Sequence, residues 1–240
     1  MSRVYDKLRK RALDVIDKGL LDERIKIKAR PLNPEEAIGN PESDDYPLVK
    51  GRERIMQAEL EGSYGQAFTD QYGDFEGFLR DIIETEPANN YRRAILIASL
   101  NAALRHMGLI QGTIHCKDEE PVECATQLAQ RIQSIYGTPK ITQIGFQPRF
   151  VQKLSQIFEF RVIDLDIDNI GARKFDILIE EPQKTEEAIE WCDLLLVTGT
   201  TITNGTIEKF LNRKPVLFYG ITIAGAAHLM NWERFCHKGR

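Results

Sequence analysis

The chain is poor in cysteine, with four in 240 residues, and it contains neither a C-x-x-C pair nor an H-E-x-x-H run. That excludes a disulfide-stapled secreted scaffold and the common zinc signatures, and it points to reduced thiols in a cytoplasm. There is no surplus of positive charge: 32 Lys and Arg face 36 Asp and Glu, for a net charge of −4. A nucleic-acid binder needs a basic stripe to displace counterions, so no nucleic-acid partner is expected. Long apolar runs are missing as well. The longest, residues 94–104, is interrupted by Ser99 and Asn101 and flanked by Arg92, Arg93 and Arg105, too short and too polar for a bilayer. The first seven residues carry no apolar stretch of a secretory signal. The expectation is a soluble, cytoplasmic protein with no membrane partner.

What remains is an ordinary globular composition, 42% hydrophobic and 28% charged. A chain of this length buries roughly 70–75% of its unfolded surface, enough for a core without staples. Val4, Leu8, Ala12 and Val15 or Ile16 recur at helical spacing, with Gly19 as a stop. Residues 24–29 alternate charge and apolar side chain, the pattern of a strand with one wet face. Prolines 31, 34 and 41, Gly39 and the acidic run 42–45 mark a loop. Strands are expected over 54–61 and 66–69, and helices over 74–84 and 89–107, separated by Pro87.

The rhythm then changes. Helical stretches at 122–135, 149–158, 185–191 and 207–211, and one beginning at 225, alternate with short apolar runs at 140–146, 160–165, 193–197 and 215–219. Strands that are apolar throughout and separated by helices predict a parallel sheet covered on both faces. The expected architecture is α/β, an α+β unit over 1–112 followed by a parallel-sheet unit over 113–240.

Ligands of open parallel sheets sit beyond the carboxyl ends of the strands. Three such ends stand out. Thr198-Gly199-Thr200-Thr201-Ile202-Thr203-Asn204-Gly205-Thr206 follows a buried strand and opens a helix. Its hydroxyls and exposed N–H groups suit a polar or anionic ligand, although threonines in such a turn also cap backbone. Gly145-Phe146-Gln147-Pro148 lacks the G-x-G-x-x-G glycines that let a backbone approach a pyrophosphate, so NAD is not favoured, despite Asp164 about twenty residues on. Gly220-Ile221-Thr222 with the small residues that follow is either tight packing or a wall for a flat ligand. In the first part, Gln66, Thr69 and Asp70 add polar groups that a hairpin turn does not need, and Asn101 interrupts an apolar helix. His115 and Cys116 are candidate ligands for a transition metal. Cys116 is also placed to meet Cys124 across a helix start, while a buried core role is the ordinary one for any single cysteine.

Taken together, these segments resemble the family described as putative heavy-metal chelation. The carrying residues are 65–70, Asn101-Ala102, Gly145-Phe146 with Pro148, Asp193 and 198–206, Phe218-Tyr219-Gly220 and 222–226. Gly220-Ile221-Thr222 departs from the Gly-Pro-Ser-type turn frequent there. The resemblance implies an enolase-N-terminal-like domain joined to a Rossmann-like domain, with a ligand site where they meet. The expected ligand-binding residues are Gln66, Thr69, Asn101, Gly145, Thr198, Gly199, Thr200, Thr201, Asn204, Thr206, Gly220 and Thr222. A metal, or a metal-linked or anionic small molecule, is the expected ligand. The alternative is an enzyme on a small anionic or nucleotide-like substrate, with Asp70 and Asp164 as acid/base candidates. The oligomeric state stays open, a homo-oligomer included.

Overall fold

The computed structural model describes residues 3–22, 26–39 and 53–240. Arg24, Ile25, Pro41 and the acidic run 42–45 lie outside the described residues. Among the described residues, the first part builds a four-stranded antiparallel sheet from β1 (Lys26–Pro31), β2 (Arg54–Leu60), β3 (Ser63–Thr69) and β4 (Phe75–Phe78), in the order β3-β2-β1-β4. β2 and β3 form a hairpin in which Leu60 faces Ser63. Its two turn residues, Glu61 and Gly62, have φ of 47° and 75°, as a tight turn matching the strand twist requires.

The helix expected over 74–84 is half strand. Phe75, Phe78, Leu79, Ile82 and Ile83 share a helical spacing, yet Phe75–Phe78 pairs with β1 and only Leu79–Glu84 is helical. An unpaired edge of β1 outcompetes local periodicity.

The second part forms a sheet of β5 (Ile141–Ile144), β6 (Phe160–Ile163), β7 (Arg173–Lys174), β8 (Ile177–Glu180), β9 (Leu194–Thr198), β10 (Val216–Tyr219) and β11 (Arg234–Phe235). Its order is β11-β10-β9-β5-β6-β8-β7, and every pairing is parallel except β7 with β8. The chain leaves β5 toward β6 on one side and returns to β9 on the other. The sheet therefore reverses direction of growth between β5 and β9, which opens a crevice beyond Ile144 and Thr198. The α/β class with a parallel sheet is as the sequence indicates. The β7–β8 hairpin lies between the strand expected over 160–165 and the helix expected over 185–191, where no strand was expected, and the helix expected over 149–158 ends at Leu154.

Helix Asn90–His106 lies between the two sheets. It packs on β2 and β3 on one side and on helix Ala224–Met230 on the other, so every residue from 94 to 104 is buried. Gly65 makes this possible, because a Cβ there would overlap the backbone of Ala98 and Ala102. One core cluster runs from Met56, Ala58 and Ala67 of the first sheet through this helix to Ile144, Leu195 and Val197 of the second. A second cluster fills the far face of the parallel sheet, under helices Glu120–Tyr136 and Pro148–Leu154. Among the described residues, no helix is long and apolar enough to cross a membrane.

Candidate functional site

The crevice at the β5/β9 reversal is a cleft of about 460 Å³. Its floor is the carboxyl edge of the parallel sheet. Gly145 follows β5 with φ of +86°, and a Cβ there would meet Thr198 Cγ2 at 2.7 Å. The two turns at the switch point thus touch each other. Gly199 is equally confined, since a Cβ would sit 2.8 Å from the Ile223 nitrogen.

The threonine-rich turn both folds itself and faces the cleft. Thr198 Oγ1 accepts the Thr200 N–H at 3.3 Å, and Thr201 Oγ1 donates to the Thr198 carbonyl at 2.8 Å. Asn204 Oδ1 accepts from the Thr206 N–H at 3.1 Å and from its hydroxyl at 2.7 Å. These bonds shape the short 3-10 turn Gly199–Ile202. Thr198, Gly199, Thr200, Thr201, Asn204 and Thr206 all line the cleft. Thr203, which also lines it, bridges to the first sheet by donating to the Phe68 carbonyl at 2.6 Å.

The opposite wall comes from β3 and the 113–116 segment that runs along its edge. Thr69 at the end of β3 and Asp70 just past it face the cleft, and Thr222, which accepts the Phe68 N–H at 3.1 Å, and Gly220 face it from the turn after β10. Gln66 and Asn101 lie behind this wall rather than on it. Gln66 Oε1 accepts the His115 N–H at 2.7 Å and its Nε2 donates to Gln57 at 2.8 Å. Asn101 Nδ2 donates to the carbonyls of Gln66 (2.9 Å), Thr222 (3.1 Å) and Ile221 (3.3 Å), and its Oδ1 accepts the Gly225 N–H at 2.7 Å. One buried amide thereby fixes β3 against the last turn of the cleft floor, with every polar atom satisfied.

Asp164 closes the turn after β6. Its carboxylate accepts from the N–H groups of Leu165, Phe146 and Asp166 and from Asn169 Nδ2, at 2.6, 3.2, 3.1 and 3.1 Å. Burial nonetheless outweighs these donors and raises its pKa. Asp70 is exposed at the rim and accepts from Asn90 Nδ2 at 2.7 Å. Glu53, just ahead of β2, went unnoticed in the sequence because a charged residue before a strand reads as solvated. It lines the same cleft, and burial, followed by the charges of Asp164, Asp70 and Asp166, pushes its carboxyl up to about 7. Tyr219 is another lining residue that the sequence pattern does not announce. Its hydroxyl donates to the Gly145 carbonyl at 2.8 Å, and burial raises its pKa.

His115 and Cys116 also face the cleft. Burial pulls the imidazole down to about 4, so it is neutral at pH 7. Its Nδ1 lies 2.6 Å from the Cys116 carbonyl. A carbonyl only accepts, which assigns the proton to Nδ1 and leaves Nε2 as a bare lone pair. Cys116 and Cys124 are near enough to shift each other's acidity, and Cys124 and Cys236 line the cleft with His115 and Cys116. Among the described residues, no group of three or more His, Cys, Asp or Glu side chains is placed to hold a metal ion.

Fold and cleft together define an α/β protein with a small-molecule-sized site at the switch point of a parallel sheet. Residues 129–229 match the model of the family described as "Putative heavy-metal chelation", the family that the sequence motifs resemble. Two solved structures are similar over nearly the whole chain, both DUF364-family proteins of unknown function. The one from Pyrococcus horikoshii is 17% identical with a TM-score of 0.56, covering 91% of this chain and 79% of that one. The one from Desulfitobacterium hafniense is 12% identical with a TM-score of 0.56, covering 95% and 81%. At these identities the likeness establishes the fold. No curated protein matches the chain.

Proposed function

We propose that the cleft is a binding site for a metal ion or a metal-linked small molecule, formed where an enolase-N-terminal-like unit (1–112) meets a Rossmann-like unit (113–240). The change from an antiparallel to a parallel sheet supports that division. The observation that carries the binding reading is electrostatic. Among the described residues, Glu53, Asp70, Asp164, Asp166 and Asp168 line the cleft against a single lysine, Lys209. A low-dielectric crevice of one sign concentrates the opposite charge, so the site favours a cation over the anionic ligand also expected from the sequence.

The donor chemistry fits a metal held jointly with its own small-molecule ligand. Among the described residues no cluster of three ligands is ready, yet the Nε2 lone pair of His115 and the Cys116 sulfur can each supply one donor, leaving further positions to the ligand. Protein purified from its natural source, examined by native mass spectrometry and elemental analysis, should carry a metal or a small-molecule adduct. Glu53→Gln together with Asp70→Asn should weaken transition-metal uptake in titration. Absence of any adduct, combined with no transition-metal binding tighter than micromolar, would refute the reading.

A second reading, catalysis on a small substrate, is supported by Glu53. A carboxyl near pH 7 in a cleft of substrate size has the acidity that proton transfer needs. Asp164 suits that role less well than its position in the sequence indicates, because four local donors already hold its oxygens. Turnover that Glu53→Gln abolishes, without loss of substrate binding, would decide for the enzyme.

A further inference from the structure

We infer that Cys116 and Cys124 form a two-coordinate site for a soft d10 metal cation in the wall of the cleft, a proposal that rests on the metal-binding reading above. Both sulfurs belong to residues that are nearly inaccessible, 9% and 5% exposed, yet both residues line the cleft, so an ion reaches them from the cavity. They are already neighbours, close enough for each thiol to shift the other's pKa, that of Cys116 upward and that of Cys124 downward. Two rigid elements keep them there. Cys116 follows a segment whose Thr113 and Ile114 N–H groups both donate to the Arg240 carbonyl at 2.9 Å. Cys124 sits one turn into helix Glu120–Tyr136, where its sulfur accepts backbone N–H groups of Lys238 and His237.

The donor count selects the metal. Zinc asks for four ligands and hard cations for six or more, and no cluster of three among the described residues offers a start on either. Thiolates prefer soft ions, and mercuric, silver and cuprous ions are content with two sulfurs in a line. With a divalent ion the balance is simple. One cation replaces two thiol protons, which leave to solvent, and no electron is transferred. The resulting bis-thiolate is neutral, which suits two nearly inaccessible sulfurs. Cys236 is close by but its sulfur is engaged by Arg234 and Gly239, and Cys192 donates to the Ile189 carbonyl within the core at 3.4 Å. Neither is needed. Residues 116 and 124 lie outside the stretch that the family model matches, so the family match assigns no such site.

The test uses mercuric chloride with excess glutathione, a monothiol that strips ions held by single cysteines. The unaltered protein should retain one mercury per chain, release two protons per ion and give X-ray absorption with two sulfur neighbours. Cys116→Ser and Cys124→Ser should each lower retention about 100-fold or more, since a lone thiol loses the chelate advantage. Cys192→Ser and Cys236→Ser should retain the ion, and zinc should not displace it. Circular dichroism checks that each variant folds, and the absorption measurement needs no variant. Retention by either Cys116→Ser or Cys124→Ser, or equal loss in Cys236→Ser, would overturn the two-thiol site. A protein that fails this test yet carries an adduct sensitive to Glu53→Gln keeps the cleft reading and loses only the thiol site.

Discussion

Glu53 and His115 face the same cleft and are displaced in opposite directions, which makes the acid stability of the protein a sharp test of the site. The Glu53 carboxyl moves from 4.5 to about 7 and the His115 imidazole from 6.5 to about 4. At about 1.4 kcal/mol per pH unit, each displacement is worth about 3 kcal/mol. The signs differ. Between pH 4.5 and 7 folded Glu53 keeps a proton that the unfolded chain has lost, so its contribution is full below that window and vanishes as pH rises through it. Between pH 6.5 and 4 the unfolded chain gains a proton on His115 that the folded protein refuses, so stability falls as pH drops. Over the shared window the two slopes cancel.

Each substitution should unmask the other group. The unfolding free energy of Glu53→Gln, minus that of the unaltered protein, should climb by about 1.4 kcal/mol per pH unit from pH 4.5 to 7 and then level off. For His115→Phe the difference should be near its maximum at pH 4 and decline by the same slope up to pH 6.5. Urea titrations at four pH values, followed by tryptophan fluorescence, measure both. Pairing each variant with the unaltered protein removes the contribution of all other carboxylates. A difference independent of pH in Glu53→Gln would show that the carboxyl does not sit in the buried, acidic surroundings described, and the electrostatic case for a cationic ligand would fall with it.

Three further outcomes follow from the geometry. Asn101→Ala leaves the Gly225 N–H without its acceptor in the core and takes a donor from the carbonyls of Gln66, Ile221 and Thr222, so chemical denaturation should report a loss of about 2–4 kcal/mol. Gly145→Ala imposes a Cβ at φ of +86° and 2.7 Å from Thr198 Cγ2, which should cost at least about 1–3 kcal/mol and disturb ligand uptake, as a thermal melt and a binding titration would show. Thr203→Val removes the hydroxyl that joins the threonine-rich turn to the Phe68 carbonyl, and about 1–2 kcal/mol should be lost in the same melt.

The parallel sheet was legible because β9 and β10 are nearly apolar on both faces, and only a sheet covered on both sides asks for that. The β7–β8 hairpin was not. Its turn places Phe175 and Asp176 at φ of 52° and 64° without a glycine to announce it, and its strands are mostly half-buried or exposed. At the site, the hydroxyl-rich turn, Gly145 and Gly220 stood out because they follow apolar strands. Glu53 was invisible for the opposite reason. Its surroundings come from Asp70 and Asp164, distant in sequence, and no local pattern records that approach. Gln66 and Asn101, expected to bind ligand, stand behind the cleft wall instead, because sequence cannot distinguish a residue that faces a cavity from one that fastens the wall behind it.

Between residues 94 and 104, helix Asn90–His106 has no wet side, and this bears on how a ligand of the proposed kind would be received. A surface helix can roll or slide on one neighbour, but a rod gripped along its middle three turns by a sheet and a second helix cannot shift without vacating volume on both sides. The two sheets are therefore riveted to each other rather than hinged. A ligand of the proposed kind would meet a cavity already shaped, little ordering entropy would be spent on its arrival, and discrimination would fall to the size and charge of a preformed vessel.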